Sequence, residues 1–198
     1  FYGLAFSPDG GQLFCSGAGD EVIHAFAFRQ GLLGEPRDLR VRPLNQRGVP
    51  GGLAVSRDGR SLWTASVWGH RVSGIDTTSG QVKFDLPLSP GRDTASPPVV
   101  PPTDPDLAAA TKRDEAKLDP AKANDPYPYG VALDEPRRRL YVSLWAQARV
   151  AVVNLDEPSV TAWWSVQEHP NELLLAPSGR ALYVANANRN TVTVLDPE

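Results

Sequence analysis

The sequence predicts an all-β protein, a β-propeller of about four blades, and two observations carry this prediction. A short sequence pattern occurs in four copies, which begin at Gly3, Gly52, Gly130 and Glu172. The second observation is that the strands in each copy are apolar on both faces instead of alternating between apolar and polar residues. Such a sheet is stable only when neighbouring sheets cover both of its faces, as they do in a propeller.

Each copy opens with a short apolar run that we interpret as the first strand of a blade, at 4–6, 53–55, 131–133 and 173–175. A turn follows, as in Ser7-Pro8-Asp9-Gly10, where proline fixes φ at the second position and glycine accepts positive φ at the fourth. The third copy has Arg137 where the others have glycine. A left-handed arginine would be strained by about 1 kcal/mol, which favours another turn geometry in that copy.

Two further strands follow the turn in every copy. The second strands are predicted at 13–15, 62–65, 140–143 and 182–185. The third strands are predicted at 22–28, 72–75, 150–155 and 192–195. A fourth strand is expected at 81–86, and Trp163 and Trp164 are placed in the outer strand of the third blade, one ring packed and the other exposed.

The spacing of the copies predicts the domain organisation. The equivalent leucines Leu13, Leu62, Leu140 and Leu182 are separated by 49, 78 and 42 residues, and about 42 residues is the length of a four-stranded blade. The prediction is one propeller segment with blades at approximately 1–48, 49–88, 127–168 and 169–198. Because closure protects sheet edges, a segment of a longer propeller is favoured over a compact ring of about four blades that is completed by another strand.

An insertion at 89–126 separates the second and third blades and contains eight of the 19 prolines. Its first half is expected to be extended or irregular. Its second half predicts a short helix between Asp104-Pro105 and Asp119-Pro120. The insertion is interpreted either as a solvated excursion or as an arm or lid that docks on a partner.

Composition excludes several classes of function. The net charge of −3 gives no reason to expect nucleic-acid binding, and no apolar stretch approaches the roughly 18 residues of a membrane span. Cys15 is the only cysteine, and we expect a small buried apolar residue with no metal role. His24 is expected to be a satisfied structural residue of a strand. No catalytic, phosphate-binding or haem-attachment motif occurs, so no cofactor is predicted.

Leu182-Tyr183-Val184-Ala185-Asn186, followed by the run from Asn190 to Asp196, resembles the YVTN-type β-propeller repeat, and Leu140–Ser143 resembles it in the third copy. The resemblance implies a periplasmic, secreted or surface protein of about seven blades. Some similar proteins are lactonase-like hydrolases, some are propellers joined to an alkaline-phosphatase-like phosphoesterase domain, and others are subunits of redox enzymes. The metal ligands and nucleophile of the phosphoesterase domain have no counterpart in this sequence.

Loops at one end of the blades are the expected place for a site, because they surround the channel of a propeller. They carry nine candidate residues that could bind a small anionic ligand: His70, Arg71, Arg149, His169, Asn171, Glu172, Arg189, Trp68 and Trp145. Two histidines and a carboxylate could hold zinc only if the ring brings their loops together. The alternative is that these are solvated loop residues, with the tryptophans wedged between blades.

The function favoured by the sequence is a non-catalytic, rigid interaction scaffold within a larger extracytoplasmic protein or complex, with a protein partner or further propeller blades as its partners. The alternatives are part of an enzyme, either a lactonase-like hydrolase or a propeller fused to a phosphoesterase, and a redox-complex subunit. The absence of catalytic motifs favours the scaffold, whereas the loop residues and the insertion favour the alternatives.

Overall fold

A computed structural model describes residues 3–89 and 125–198 of the chain. The described residues form antiparallel strands joined by turns and short 3₁₀ segments. The strands are β1 (Leu4–Phe6), β2 (Gln12–Ser16), β3 (Val22–Arg29), β4 (Leu32–Arg40), β5 (Pro50–Val55), β6 (Ser61–Ser66), β7 (Arg71–Asp76), β8 (Val82–Pro87), β9 (Pro128–Asp134), β10 (Arg139–Leu144), β11 (Arg149–Asn154), β12 (Ser159–Ser165), β13 (Pro170–Leu175), β14 (Leu182–Asn186) and β15 (Thr191–Leu195).

These strands form four sheets in which each strand pairs with the next one along the chain. Blade 1 is β1 to β4, blade 2 is β5 to β8, blade 3 is β9 to β12, and blade 4 is the three-stranded sheet β13 to β15. The all-β propeller architecture predicted from the repeat is confirmed. The predicted insertion with its short helix lies almost entirely outside the described residues.

Three apolar clusters lie at the three junctions between neighbouring blades. Phe14 and Ile23 of blade 1 pack with Leu62 and Ile75 of blade 2. The other two clusters join blade 2 to blade 3 and blade 3 to blade 4. The central strands of blades 2 and 3 are therefore buried on both faces, as their uninterrupted apolar sequences predict.

The first strands approach each other so closely that side chains do not fit between them. A Cβ atom added to Gly3 would collide with the carbonyl oxygen of Gly51 in the next blade. The same holds for Gly52 against the carbonyl of Tyr129, and for Gly130 against that of the corresponding residue of blade 4. Glycine begins the first three copies of the repeat because the backbones of adjacent blades meet there.

The turn of the third copy differs from the others, as its sequence predicts. Gly10, Gly59 and Gly179 have positive φ angles in their turns. In blade 3 the left-handed residue is Arg138, with a φ of 53°, and not Arg137. The turn has moved by one residue, and the Arg138 amide donates to the carbonyl of Glu135 at 3.1 Å.

Arg137 instead ties blade 3 to blade 4. Its Nη1 donates to Oδ2 of the buried Asp134 at 3.1 Å and to the carbonyl of Gly179 at 3.0 Å. The hydroxyl of buried Tyr141 donates to the same Asp134 oxygen at 3.0 Å. Burial, followed by the charge of Asp134, raises the pKa of Tyr141 to about 12.

The structure corrects two expectations about single residues and supports a third. Trp163 and Trp164 lie in the outer strand of blade 3 as predicted, but both are half-buried and pack on opposite faces of the sheet, so neither ring is freely exposed. Trp164 stacks on Tyr141 with the ring centroids 5.3 Å apart. Cys15 is half-buried instead of fully buried. His24 is satisfied, because its Nδ1 lies 2.7 Å from Oδ1 of Asp38.

Candidate functional site

The candidate residues lie on or beside one end of the blades, which we call the loop face. It consists of the loops that join second to third strands (17–21, 67–70, 145–148 and 187–190) and the loops that lead into first strands (41–49, 125–127 and 166–169). The first kind ends in every blade at a left-handed residue. These residues are Glu21, His70, Ala148 and Asn190, with φ angles of 49–56°.

The second kind of loop also ends at a left-handed residue, immediately before a proline. These opening residues, as we call them, are Val49, Tyr127 and His169, with φ angles of 54°, 44° and 54°. Each opening residue accepts a hydrogen bond at its carbonyl from the second-to-third-strand loop of the same blade, at 3.0–3.1 Å. A left-handed conformation is costly for a β-branched residue such as valine. The three blades adopt it nevertheless, because these hydrogen bonds stabilise it.

At the junction of blades 2 and 3, an aromatic group forms around Tyr127. Its ring contacts Trp68 edge to face at 5.8 Å and His70 at 5.0 Å between centroids. His70 Nε2 lies 3.3 Å from Oδ2 of Asp125. Trp68 remains 58% exposed, so this group presents an accessible indole beside a histidine and a carboxylate.

At the junction of blades 3 and 4, His169 takes the place of Tyr127. Its buried ring lies against Trp145, with centroids 4.1 Å apart. The preceding residue, Glu168, forms an ion pair with Arg189, in which Nη2 lies 2.6 Å from Oε1 and both side chains are largely buried. The guanidinium of Arg189 is thus neutralised by a carboxylate of the same chain.

The junction of blades 1 and 2 carries a charged network that the sequence analysis missed. Glu21 is fully buried, and its Oε1 accepts hydrogen bonds from the backbone amides of Gly48 and Val49 at 2.7 and 2.8 Å. Its Oε2 lies 3.5 Å from Nε of Arg42, which is also buried. A Cβ on Gly48 or Gly69 would collide with the Arg42 guanidinium, so the arginine is enclosed by backbone.

The network continues into blade 2 through Arg42 Nη2, which donates to Ser66 Oγ at 2.9 Å and lies 3.4 Å from both Ser73 Oγ and Asp85 Oδ1. Arg71, a predicted site residue, donates from Nε to Asp85 Oδ2 at 2.6 Å. Two arginines therefore share one carboxylate at this junction. Glu21, Arg42 and Asp85 carried no sequence signal other than being charged residues next to buried apolar runs.

The remaining predicted residues belong to the strands at the edge of the loop face. Arg149 begins β11 and is buried. The carbonyl of Asn171 accepts a hydrogen bond from Ser143 Oγ at 2.7 Å across the junction of blades 3 and 4. Glu172 is exposed, and its charge, after burial, helps to raise the pKa of Tyr129.

The structure thus brings the predicted residues together in small groups at the blade junctions. Trp68 meets His70 through Tyr127, Trp145 meets His169, and Arg71 belongs to the separate network around Arg42. Within residues 3–89 and 125–198, no three histidine, cysteine or acidic residues are placed to hold a metal ion. The zinc arrangement considered from the sequence is therefore not formed by those residues.

The described part of the chain contains no helix that is both long and apolar enough to span a membrane. The family model for the SMP-30/gluconolactonase/LRE-like region matches residues 2–95. No curated protein sequence matches the chain. The family match and the structural neighbours agree on a propeller, and the narrower YVTN-type resemblance stays a prediction.

Solved structures with the same fold include three propellers at low identity. Hydrazine synthase from Kuenenia stuttgartiensis is 16% identical with a TM-score of 0.69, over 98% of this chain and 45% of that chain. The periplasmic gluconolactonase of Pseudomonas aeruginosa is 17% identical with a TM-score of 0.67, over 100% of this chain and 50% of that chain. Virginiamycin B lyase from Staphylococcus aureus is 14% identical with a TM-score of 0.60, over 98% and 55%. The chain spans about half the length of these proteins.

Proposed function

We propose that the chain is a non-catalytic propeller segment that acts as a rigid interaction scaffold within a larger extracytoplasmic protein or complex. The observation that carries this proposal is the internal pairing on and beside the loop face. Arg42 is paired with Glu21, Arg71 with Asp85, and Arg189 with Glu168. Guanidinium groups held by carboxylates of the same chain add rigidity and have less capacity to attract an anionic ligand.

Trp68 is the point at which we expect a protein partner to contact this scaffold. Its indole is accessible, and its edge-to-face contact with Tyr127 holds it in place. Exposed tryptophans that are already ordered lose little conformational entropy on binding and are enriched among the residues that dominate protein interfaces. The small anionic ligand suggested by the sequence would need a guanidinium to leave its carboxylate.

Rigidity of the loop face can be measured by amide hydrogen exchange. The amides of Val67, Trp145 and Ala187 each donate to the carbonyl of an opening residue. The proposal predicts that they exchange as slowly as the amides in the centre of β6 and β10. Exchange at the rate of an unprotected loop would contradict a rigid scaffold.

A lactonase-like hydrolase is the second candidate. It is supported by the family match over residues 2–95 and by the pairing of His70 with Asp125 at 3.3 Å. A histidine oriented by a carboxylate is a common general base for the activation of water. Because Nε2 faces Asp125 and Nδ1 is buried, the surrounding loop would have to open before Nδ1 could activate water for attack on a lactone carbonyl. The accessible indole of Trp68 would lie next to the bound ring.

One assay separates the two candidates. Hydrolysis of glucono-1,5-lactone is followed at constant pH for the chain, for His70→Ala and for His24→Ala. His24 is a matched control, because it is also paired with a carboxylate but lies on the exposed face of blade 1. Turnover above the buffer rate that is lost only in His70→Ala would establish the hydrolase and overturn the scaffold proposal. Equal rates in all three samples and in buffer are expected for the scaffold.

A periplasmic or cell-surface location is part of the proposal. It is supported by the YVTN-type resemblance and by the periplasmic gluconolactonase among the proteins of the same fold. Fractionation of cells that express the full-length protein tests it, and recovery with the cytoplasmic marker would contradict it.

A further inference from the structure

The outer edge of blade 3 differs from the outer edges of blades 1 and 2. Because the first strands of adjacent blades contact each other, the fourth strands β4, β8 and β12 lie at the outer edges of their blades. Among the described residues, each of these strands pairs with a neighbour on one side only. Blade 3 packs between blades 2 and 4, so both of its faces are covered and its outer edge is open. The unpaired N–H and C=O groups of such an edge can bind another strand.

Backbone hydrogen bonds identify the groups that point outward from each outer strand. The residue after each outer strand donates its amide inward, at 2.9 Å in every case, and these residues are Val41, Leu88 and Val166. Successive residues of an antiparallel strand bond alternately to one side and to the other. The register is regular over the last four residues of each outer strand. The N–H and C=O groups of the last residue, and of the residue two before it, therefore point outward.

These two outward positions carry different residue types in the three blades. They are Asp38 and Arg40 in blade 1, Asp85 and Pro87 in blade 2, and Trp163 and Ser165 in blade 3. Charged residues and proline at such positions discourage the addition of a strand, and blade 3 has neither. The remaining residues of β12 are also uncharged, and none is a proline. Each outer strand pairs with a register irregularity, so bulges do not account for the difference.

Two tryptophans flank the open edge, one on each face of blade 3. Trp163 packs at the junction with blade 2 and Trp164 at the junction with blade 4, and both side chains are half-buried. Successive side chains of an added strand would lie alternately on these two faces, where each reaches the accessible part of one indole. β-Branched and aromatic residues pair favourably with an aromatic residue on a neighbouring strand. The edge therefore favours a segment that is rich in such residues.

We propose that the outer edge of blade 3 binds an extended segment of a partner protein, which adds to the sheet as a fifth, antiparallel strand. The charges of the edge define this occupant. An edge without charge at Trp163 and Ser165 fits a segment that is uncharged where it pairs, because a charge there would be desolvated without a partner.

The turn before β12 adds a charge preference at one end of the segment. Glu157 is exposed in this turn, whereas Asp156 beside it is paired with Arg138 at 2.9 Å. Because the added strand is antiparallel to β12, its C-terminal end lies beside Glu157. A lysine or arginine at that end of the segment is therefore favoured. The proposal concerns a separate surface and does not depend on the proposed role of the loop face.

The test is binding of a fluorescently labelled hexapeptide of alternating valine and threonine that ends in a lysine amide, followed by fluorescence anisotropy with the complete chain. Ser165→Pro removes one outward N–H group and no hydrogen bond to β11. Blade 2 has Pro87 at the equivalent position, so the fold accepts proline there and the circular dichroism spectrum is expected to stay unchanged. Ser165→Ala is the matched control, because it removes the hydroxyl and keeps the backbone amide.

The expected result is saturable binding to the unmodified chain and to Ser165→Ala, and binding at least about tenfold weaker to Ser165→Pro. One backbone hydrogen bond is lost in that variant, and a carbonyl of the peptide is left unpaired. A peptide that ends in glutamate instead of lysine is expected to bind more weakly, because it faces Glu157.

Three outcomes would overturn the proposal. The first is the absence of binding to the unmodified chain, or equal affinity for Ser165→Pro. The second is an equal loss in Ser165→Ala, which would assign the contact to the hydroxyl and not to an added strand. The third is a dimer of the unmodified chain, measured by sedimentation, that Ser165→Pro dissociates, because the occupant of the edge would then be a second copy.

Discussion

Substitution of Arg42 tests whether the charged network holds blades 1 and 2 together. The Arg42 side chain is 8% exposed and lies 3.5 Å from the fully buried Glu21 carboxylate. It also donates to Ser66 at 2.9 Å. Removing one partner of a buried ion pair leaves an uncompensated charge, which costs about 3–5 kcal/mol. Arg42→Ala is therefore expected to lower the free energy of unfolding by about 3–5 kcal/mol.

The measurement is urea unfolding followed by tryptophan fluorescence. With a denaturant slope of about 2 kcal/mol/M, the midpoint is expected to fall by roughly 1.5–2.5 M. Arg57→Ala is the control, because Arg57 also connects two blades, lying 3.5 Å from Glu135, but its side chain is 79% exposed. An exposed pair of this kind contributes at most about 1 kcal/mol. Equal losses in the two variants would refute the reasoning.

A double variant in the same unfolding assay distinguishes the cost of an unpaired buried charge from the cost of lost packing contacts. The double variant Glu21→Gln with Arg42→Met removes both charges and keeps most of the side-chain volume. It is expected to be more stable than Arg42→Ala, since no unpaired charge remains in the junction. A double variant that is less stable than the single variant would show that packing, and not charge, dominates there.

Three further predictions concern the sheets and turns. Gly130→Ala is expected to destabilise the chain by about 1–3 kcal/mol through overpacking against the next blade, whereas Gly34→Ala, which meets no atom within 4 Å, is expected to change the urea midpoint little. Tyr141 is expected to titrate near pH 12 in an absorbance titration. Because its pKa in the folded chain is raised above the unfolded value of about 10, its contribution to stability is present below pH 10 and is lost as the pH rises through about 12. Tyr141→Phe should therefore flatten the pH dependence of the free energy of unfolding in that range. Gln30→Asn is expected to stabilise the β3–β4 hairpin by about a few tenths of a kcal/mol in the same unfolding assay. Gln30 and Gly31 both have positive φ angles, and Asn-Gly is the favoured pair for such a turn. An Asn variant that unfolds at a lower urea concentration would contradict this assignment of the turn.

The sequence predicted the blades well because their signals are local. The apolar runs 62–65 and 140–143 lie within β6 and β10, and both are buried on both faces. The turn glycines fall where positive φ is needed, and the missing glycine in the third copy correctly indicated another geometry. Each of these features depends on a few consecutive residues and on the repetition of the pattern.

The loop face was less predictable because its contacts join residues that are distant in sequence. Nothing in the sequence pairs Glu21 with Arg42 or Glu168 with Arg189, and a buried charge is indistinguishable from a solvated one in a loop. The prediction that one of the Trp163 and Trp164 rings is packed and the other exposed was wrong for a related reason. An outer strand of a propeller is still covered by both neighbouring blades, so strand alternation did not predict exposure there.

The left-handed residue that precedes the first proline of β5, β9 and β13 allows the surface of the loop face to vary between blades. The carbonyl of this residue is held in the same way whether the side chain is that of Val49, Tyr127 or His169. Exchanging one of these side chains for another alters the chemistry of the surface and leaves the underlying sheet intact. A protein built from repeated copies can therefore acquire a new specificity by varying one residue per repeat.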